Sequence, residues 1–210
     1  MEGLFKVQVQ QVSPGKGTAM RYEVEQKFPL PEMAVMEKRL AELGAAVAAG
    51  QLEVDLYFAH PAKDFARTDE ALRIRTIGAA NYVTYKGPKI DQTSKTREEI
   101  ELPLPGGPQG YAEGRRLLEA LGFRPVAEVR KRRRKAEIAW QGRKVEVSLD
   151  EVDSLGAFVE LELIASADDV ESAKETILQL ASSLRLAGSE RRSYLELLLL
   201  VPSPSGRGLG

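Results

Sequence analysis

Cysteine is absent from this 210-residue chain, and histidine occurs once, at His60. The first absence excludes disulfides and thiolate metal sites. The second excludes a histidine-rich zinc site built from this chain alone, leaving carboxylates as the candidate metal ligands. A dominant charge is lacking too: 30 Lys and Arg face 31 Asp and Glu, a formal net charge of -1. No global field therefore draws the protein to nucleic acid or to an anionic membrane, and neither is expected as a partner. No apolar run reaches 18 residues, and the first 20 residues lack the apolar stretch of a signal peptide. The expectation is a soluble, cytoplasmic protein of one domain, or at most two small ones.

What the chain does have is charge sorted by position. In Tyr22-Glu23-Val24-Glu25-Gln26-Lys27-Phe28, alternation at period two puts Glu23, Glu25 and Lys27 on one face of a strand. One such strand would suit a solvated outer face. The pattern recurs, however, at Arg73-Ile74-Arg75, Thr84-Tyr85-Lys86, Arg97-Glu98-Glu99-Ile100-Glu101, Lys131-Arg132-Arg133, Glu146-Val147-Ser148-Leu149-Asp150 and Glu160-Leu161-Glu162-Leu163. In several of these the opposite face is apolar. Such a sheet packs its apolar side on helices and surrounds something with its charged side. The simplest closed solution is an α+β fold, a β-barrel with a charged lumen and flanking helices.

In chain order, residues 1–19 read as a flexible N-terminal extension ending in the breaker-rich Ser13-Pro14-Gly15-Lys16-Gly17. Phe5, Val7 and Val9 alternate, which leaves a short extra strand open there. The main domain is expected over residues 20–200, with residues 201–210 a disordered tail. Met33, Met36, Leu40 and Leu43 form a helical stripe, with Gly44 placed as its C-terminal cap. A strand follows over 51–58, and His60 before Pro61 reads as a turn residue rather than a ligand. Residues 72–86 read as a hairpin turning at Gly78-Ala79-Ala80-Asn81. The succession Glu23-x-Glu25, helix, Leu43-Gly44 is echoed by Glu99-x-Glu101, helix, Leu121-Gly122 at a period of 76–78 residues. A looser echo runs from Glu160-x-Glu162 into a helix over 168–184, where Ser166 and Asp169 have capping-box spacing. Ser193-Tyr194-Leu195-Glu196-Leu197-Leu198 reads as a last helical turn or strand.

The inward cations are Lys27, Arg73, Arg75, Lys86, Lys131 and Arg133; the inward anions are Glu23, Glu25, Asp150, Glu160 and Glu162. Cations at this density match the oxygens of a polyphosphate. The carboxylates would repel that anion unless Mg²⁺ or Mn²⁺ sits between them. The competing reading is a buried ion-pair network. Desolvating so many charges costs several kcal/mol per ion, only partly recovered by pairing, which favours a water-filled, ligand-binding tunnel.

Glu23-x-Glu25-x-Lys27 also resembles the signature of the CYTH, or triphosphate tunnel metalloenzyme, superfamily. His60-Pro61-x-x-Asp64-Phe65, the run Thr68 through Arg75, Thr84-Tyr85-Lys86-Gly87-Pro88, Lys95-Thr96-Arg97-Glu98-Glu99, Leu149-Asp150-Glu151-Val152 and Leu155-Gly156-x-Phe158-Val159-Glu160-Leu161-Glu162 are similar to its class IV adenylyl cyclase, or CyaB-like, branch. The resemblance implies a closed antiparallel eight-stranded tunnel. It casts Glu25, Glu160 and Glu162, with Glu23 and Asp150, as ligands of Mg²⁺ or Mn²⁺. It casts Lys27, Arg73, Arg75, Lys86, Lys131 and Arg133 as triphosphate contacts, with Lys27, Lys86 and Arg133 catalytic. The implied reaction converts ATP to cyclic AMP and pyrophosphate in a monomer or homodimer. Hydrolysis of thiamine triphosphate or inorganic triphosphate is the alternative, and a non-catalytic nucleotide-binding or polyphosphate-binding module a further one. Arg134-Lys135-Ala136 departs from the branch, which commonly places an aromatic residue there.

Overall fold

The computed structural model describes residues 6–10, 21–88 and 99–201, apart from the side chains of 6–10 and 21. Among the described residues there are nine strands: β1 Lys6–Gln10, β2 Arg21–Leu30, β3 Gln51–Ala59, β4 Ala71–Ile77, β5 Ala80–Lys86, β6 Glu99–Leu104, β7 Arg124–Trp140, β8 Arg143–Val152 and β9 Gly156–Ser166. They form one antiparallel sheet in the order β1-β2-β9-β8-β7-β3-β4-β5-β6. The helices are α1 Met33–Glu42, α2 Phe65–Thr68, α3 Gly107–Ala120, α4 Val170–Ser183 and α5 Tyr194–Leu200.

The expected closed eight-stranded barrel is therefore corrected to an open nine-stranded sheet. The sheet curls until β1 and β6 approach within 8 Å between Cα atoms, but no ladder joins them. The extra strand is the reason. Val7 pairs opposite Val24, so β1 occupies the free edge of β2 that a closing β6 would need. The alternation at Val7 and Val9 is thus realised as a strand. The rest of the N-terminal extension, Arg97, Glu98 and the expected tail after Val201 lie outside the described residues.

Directly opposed residues of an antiparallel pair share a face, so register traces one charged surface across the sheet. Glu25 lies opposite Glu162, Glu162 opposite Glu146, and Lys27 opposite Glu160. Asp150 lies opposite Arg133, Lys131 opposite Glu53, and Asp55 opposite Arg75. Arg75 then faces Tyr82, Arg73 faces Thr84, and Lys86 faces Glu99. The concave side is charged from β2 round to β6.

The convex side is apolar and carries the core. Val24, Phe28, Val147, Leu149, Leu161 and Leu163 pack with Met36 and Leu40 of α1 and Ile177 and Leu180 of α4. Further round, Leu56, Phe58, Leu72 and Ile74 pack with Leu118 of α3. This second contact depends on close approach: a Cβ at Gly110 would lie 1.8 Å from the Pro105 carbonyl oxygen, and one at Gly114 would lie 2.5 Å from Leu104 Cδ1. Gly44 caps α1 as expected, with φ +79 and its N–H on the Ala41 carbonyl at 2.9 Å. The Ser166–Asp169 capping box does not form. A one-turn 3-10 helix, Ala167–Asp169, precedes α4, and Arg143 takes the Asp169 carboxylate. The capping box observed is at α5, where Ser193 Oγ accepts from Glu196 N at 3.1 Å and Glu196 answers the Ser193 N–H.

Candidate functional site

Four of the expected cations form one network, organised by carboxylates of β3 and β8. Asp55 Oδ1 accepts from Arg75 Nε and Oδ2 from Arg75 Nη2, both at 2.7 Å, while Arg73 Nη1 reaches Oδ2 at 3.2 Å. Burial pushes the Asp55 carboxyl upward, but the charge of Arg73 and the hydrogen bond from Arg75 outweigh it and hold the group well below the usual carboxylate range. Glu53 bridges Lys131 at 3.2 Å and Arg75 at 3.9 Å. Asp150, fully buried, accepts from Arg133 Nε at 2.7 Å and lies 3.6 Å from Lys131 Nζ. Glu160 pairs with the same guanidinium. Lys131 is pushed down by burial and by the neighbouring Arg133 charge. Arg73 is buried, and its Nε makes no hydrogen bond.

The remaining two cations sit at either side of this network. Lys27 donates to the Arg192 carbonyl, and its ammonium lies 4.3 Å from the Tyr194 ring centroid. Lys86 pairs with Glu99 across the β5–β6 edge at 2.8 Å.

The expected metal-ligating carboxylates divide into two groups. Asp150 and Glu160 belong to the Arg133 cluster. Glu23, Glu25 and Glu162 gather with Glu146, further along the same face. Burial first, then the charges of Glu23, Glu146 and Glu25, push the Glu162 carboxyl up to about 8. Among the described residues no three carboxylates converge as ready-made ligands of one ion. The donor set nevertheless fits a hard divalent cation, since it offers only carboxylate oxygens, and mutual repulsion is what a cation would relieve.

The raised Glu162 carboxyl has a signed consequence. Its folded value lies above the unfolded one, so the native state binds the extra proton between about 4.5 and 8. The associated stability is complete below that window and lost as pH rises through it. Thermal melts of metal-free protein should therefore show a stability decline between pH 5 and 8. Glu162→Gln should flatten it; an unchanged slope would remove Glu162 as its source.

A family profile for the CYTH domain matches residues 21–194. This chain belongs to the CYTH family. It is 37% identical over 178 residues to a Methanocaldococcus jannaschii protein named "Putative adenylate cyclase MJ0240", covering 83% of this chain and 97% of that one. Among solved structures, PH1819 of Pyrococcus horikoshii OT3 superposes with a TM-score of 0.71 at 39% identity, over 85% of this chain and 98% of that one. HpAC1 of Hippeastrum, described as having a dominant triphosphatase activity, is alike in fold: TM-score 0.59 at 21% identity, over 86% of this chain and 98% of that one.

Several side chains of the CYTH concavity escape a reading of the charged strands alone. Glu53, Asp55 and Tyr57 alternate with Val54 and Leu56, the same period-two signal that marks Glu23 and Glu25, so β3 carried the clue. Tyr57 accepts from Arg73 Nη1 at 3.2 Å. Glu146, already placed on the charged face by the alternation Glu146-Val147-Ser148-Leu149-Asp150, stands opposite Glu162. Tyr194 had no such signal, because tertiary packing alone brings it in. Its hydroxyl donates to Asp150 Oδ2 at 2.8 Å.

His60 belongs elsewhere. Its Nδ1 accepts from the Ala62 and Lys63 amides, each at 3.0 Å, and its ring meets Phe65 and Phe123, which pack in the convex core under α3. It is a turn residue, as expected. A hollow of about 440 Å³ between the C-terminal ends of α1 and α4, lined by Val35, Arg39 and Leu184, is also on the convex side and holds none of the site residues. Among the described residues no helix is long and apolar enough to cross a membrane.

Proposed function

We propose that this CYTH protein is a metal-dependent enzyme acting on triphosphates in its charged concavity, with conversion of ATP to cyclic AMP and pyrophosphate as its reaction. One observation carries the reading: the concave face has complementary needs. Arg73 presents a buried Nε with no acceptor, while burial, together with the charges of Glu23, Glu146 and Glu25, pushes the Glu162 carboxyl up to about 8. A triphosphate carrying a divalent cation answers both.

Glu23, Glu25 and Glu162, with Glu146 beside them, would hold Mg²⁺ or Mn²⁺; Glu160 and Asp150 orient Arg133. A cation held there would supply Lewis acidity, lowering the pKa of an attacking hydroxyl and offsetting phosphate charge. Arg73, Arg75, Lys131 and Arg133 bind the phosphate oxygens, joined by Lys27 and Lys86, and stabilise charge on the departing pyrophosphate. The buried pairing of these cations is compatible with that role. Asp55 and Asp150 fix the guanidinium planes before the ligand arrives, which lowers the ordering cost of binding.

The 37% identical relative's name supports the cyclase reading. Hydrolysis of a triphosphate is the second reading, favoured by the activity described for the Hippeastrum neighbour of like fold. The two share the cationic wall and differ in the attacking group. Purified protein incubated with Mn²⁺ and ATP should yield cyclic AMP and pyrophosphate on chromatography. Orthophosphate without a cyclic product would move the reaction to hydrolysis, and intact ATP, thiamine triphosphate and inorganic triphosphate would refute both.

Arg73→Ala should weaken triphosphate binding by about 1.5–3 kcal/mol, the range for a hydrogen bond to a charged group, or about 10- to 150-fold in Kd. An unchanged Kd in the folded variant would remove Arg73 from the site.

A further inference from the structure

The charged concavity has an apolar end, and α5 covers it. Tyr57, Val129, Val152 and Phe158, all on the concave face, pack with Tyr194 and with Leu195, Leu197 and Leu198 of the helix. Tyr194 opens α5 and is buried, its ring in edge contact with Phe158 at 5.2 Å between centroids. Two ammonium groups lie over this one ring: Lys27 Nζ at 4.3 Å from the centroid and Lys131 Nζ at 5.4 Å. They come from strands that do not neighbour each other in the sheet, β2 and β7.

Bringing two buried ammonium groups to one place is opposed by their repulsion and by desolvation. An aromatic face offsets part of both, because its quadrupole attracts each cation. The chain is tied down around this point. The Glu190 amide donates to the Lys27 carbonyl at 2.8 Å, Lys27 Nζ donates to the Arg192 carbonyl, and the Tyr194 hydroxyl donates to Asp150. Asp150 in turn holds Arg133. One side chain thus touches three members of the cationic wall, two through its ring and one through Asp150.

We propose that Tyr194 is a positioning residue for anion binding: its ring holds the Lys27 and Lys131 ammonium groups together so that a polyanion meets both at once. The proposal rests on the triphosphate reading above. A shape-filling role for the same ring would depend on its volume; the positioning role depends on the electron density of its face.

Calorimetric titration of inorganic triphosphate, without divalent cation, separates the two. Full-length Tyr194→Phe keeps the ring face, loses only the hydroxyl's hydrogen bond to Asp150, and is the reference against which the ring is read. Pentafluorophenylalanine at position 194 keeps the shape but reverses the quadrupole, and should weaken binding about tenfold or more, given two cations over the ring in a desolvated setting. Equal affinities for the two rings would overturn the positioning role while leaving the triphosphate reading intact. A wild-type protein that binds no triphosphate, either without divalent cation or with Mg²⁺ added, would overturn that reading and this proposal with it.

Discussion

Asp55→Ala is expected to lower the unfolding free energy by about 3–5 kcal/mol, the range for breaking a buried ion pair by removing one partner. Its carboxylate is 4% exposed and serves two arginines that are themselves 11% and 16% exposed. Without it, Arg73 and Arg75 stand close together with their charges largely uncompensated. Urea denaturation at neutral pH measures the loss, and a change below about 1 kcal/mol would mean that the pair behaves as a surface ion pair. Acid provides a second signature. The folded carboxyl is held below its ordinary value of 3.8, so its contribution is complete above that value and lost as pH falls toward the folded one.

Glu25→Ala is expected to bring metal-dependent turnover to background without unfolding the protein. Glu25 is buried and stands directly opposite Glu162, in a group whose members repel one another. Removing one like charge lowers the Glu162 carboxyl toward its usual range, so the stability decline of the metal-free protein between pH 5 and 8 should be smaller in the variant. The rise in melting temperature on adding Mg²⁺ should shrink in the same variant. Full turnover in Glu25→Ala would remove this carboxylate from the metal site.

The charged concave face was legible because period-two alternation survives any rearrangement of strand order. Glu25, Arg73, Arg133 and Glu160 share a face whether the sheet closes or not. Closure was not legible: β2 pairs with β9 more than a hundred residues away, and whether β1 or β6 takes the other edge of β2 depends on register between distant segments. The ion-pair network set aside in the sequence is formed by Arg73, Arg75, Lys131 and Arg133 with their carboxylates. Asp55 and Glu53, uncounted among the inward charges, neutralise the arginines and Lys131, whereas burial and the charges of Glu23, Glu146 and Glu25 raise the Glu162 carboxyl. Tyr194 was out of reach for a different reason. Tyr-Leu-Glu-Leu-Leu-Leu-Leu is nearly apolar all round, so neither a helical nor a strand period points its first residue into the lumen.

Titration of metal-free protein with inorganic triphosphate, repeated in the presence of Mg²⁺, tests most directly whether the concave face is built for both ions. Saturable one-to-one binding that tightens when Mg²⁺ is added is expected, with the Mg²⁺ enhancement lost in Glu25→Ala. No binding of triphosphate with or without Mg²⁺ would contradict it, and would leave the charges as an internal ion-pair network.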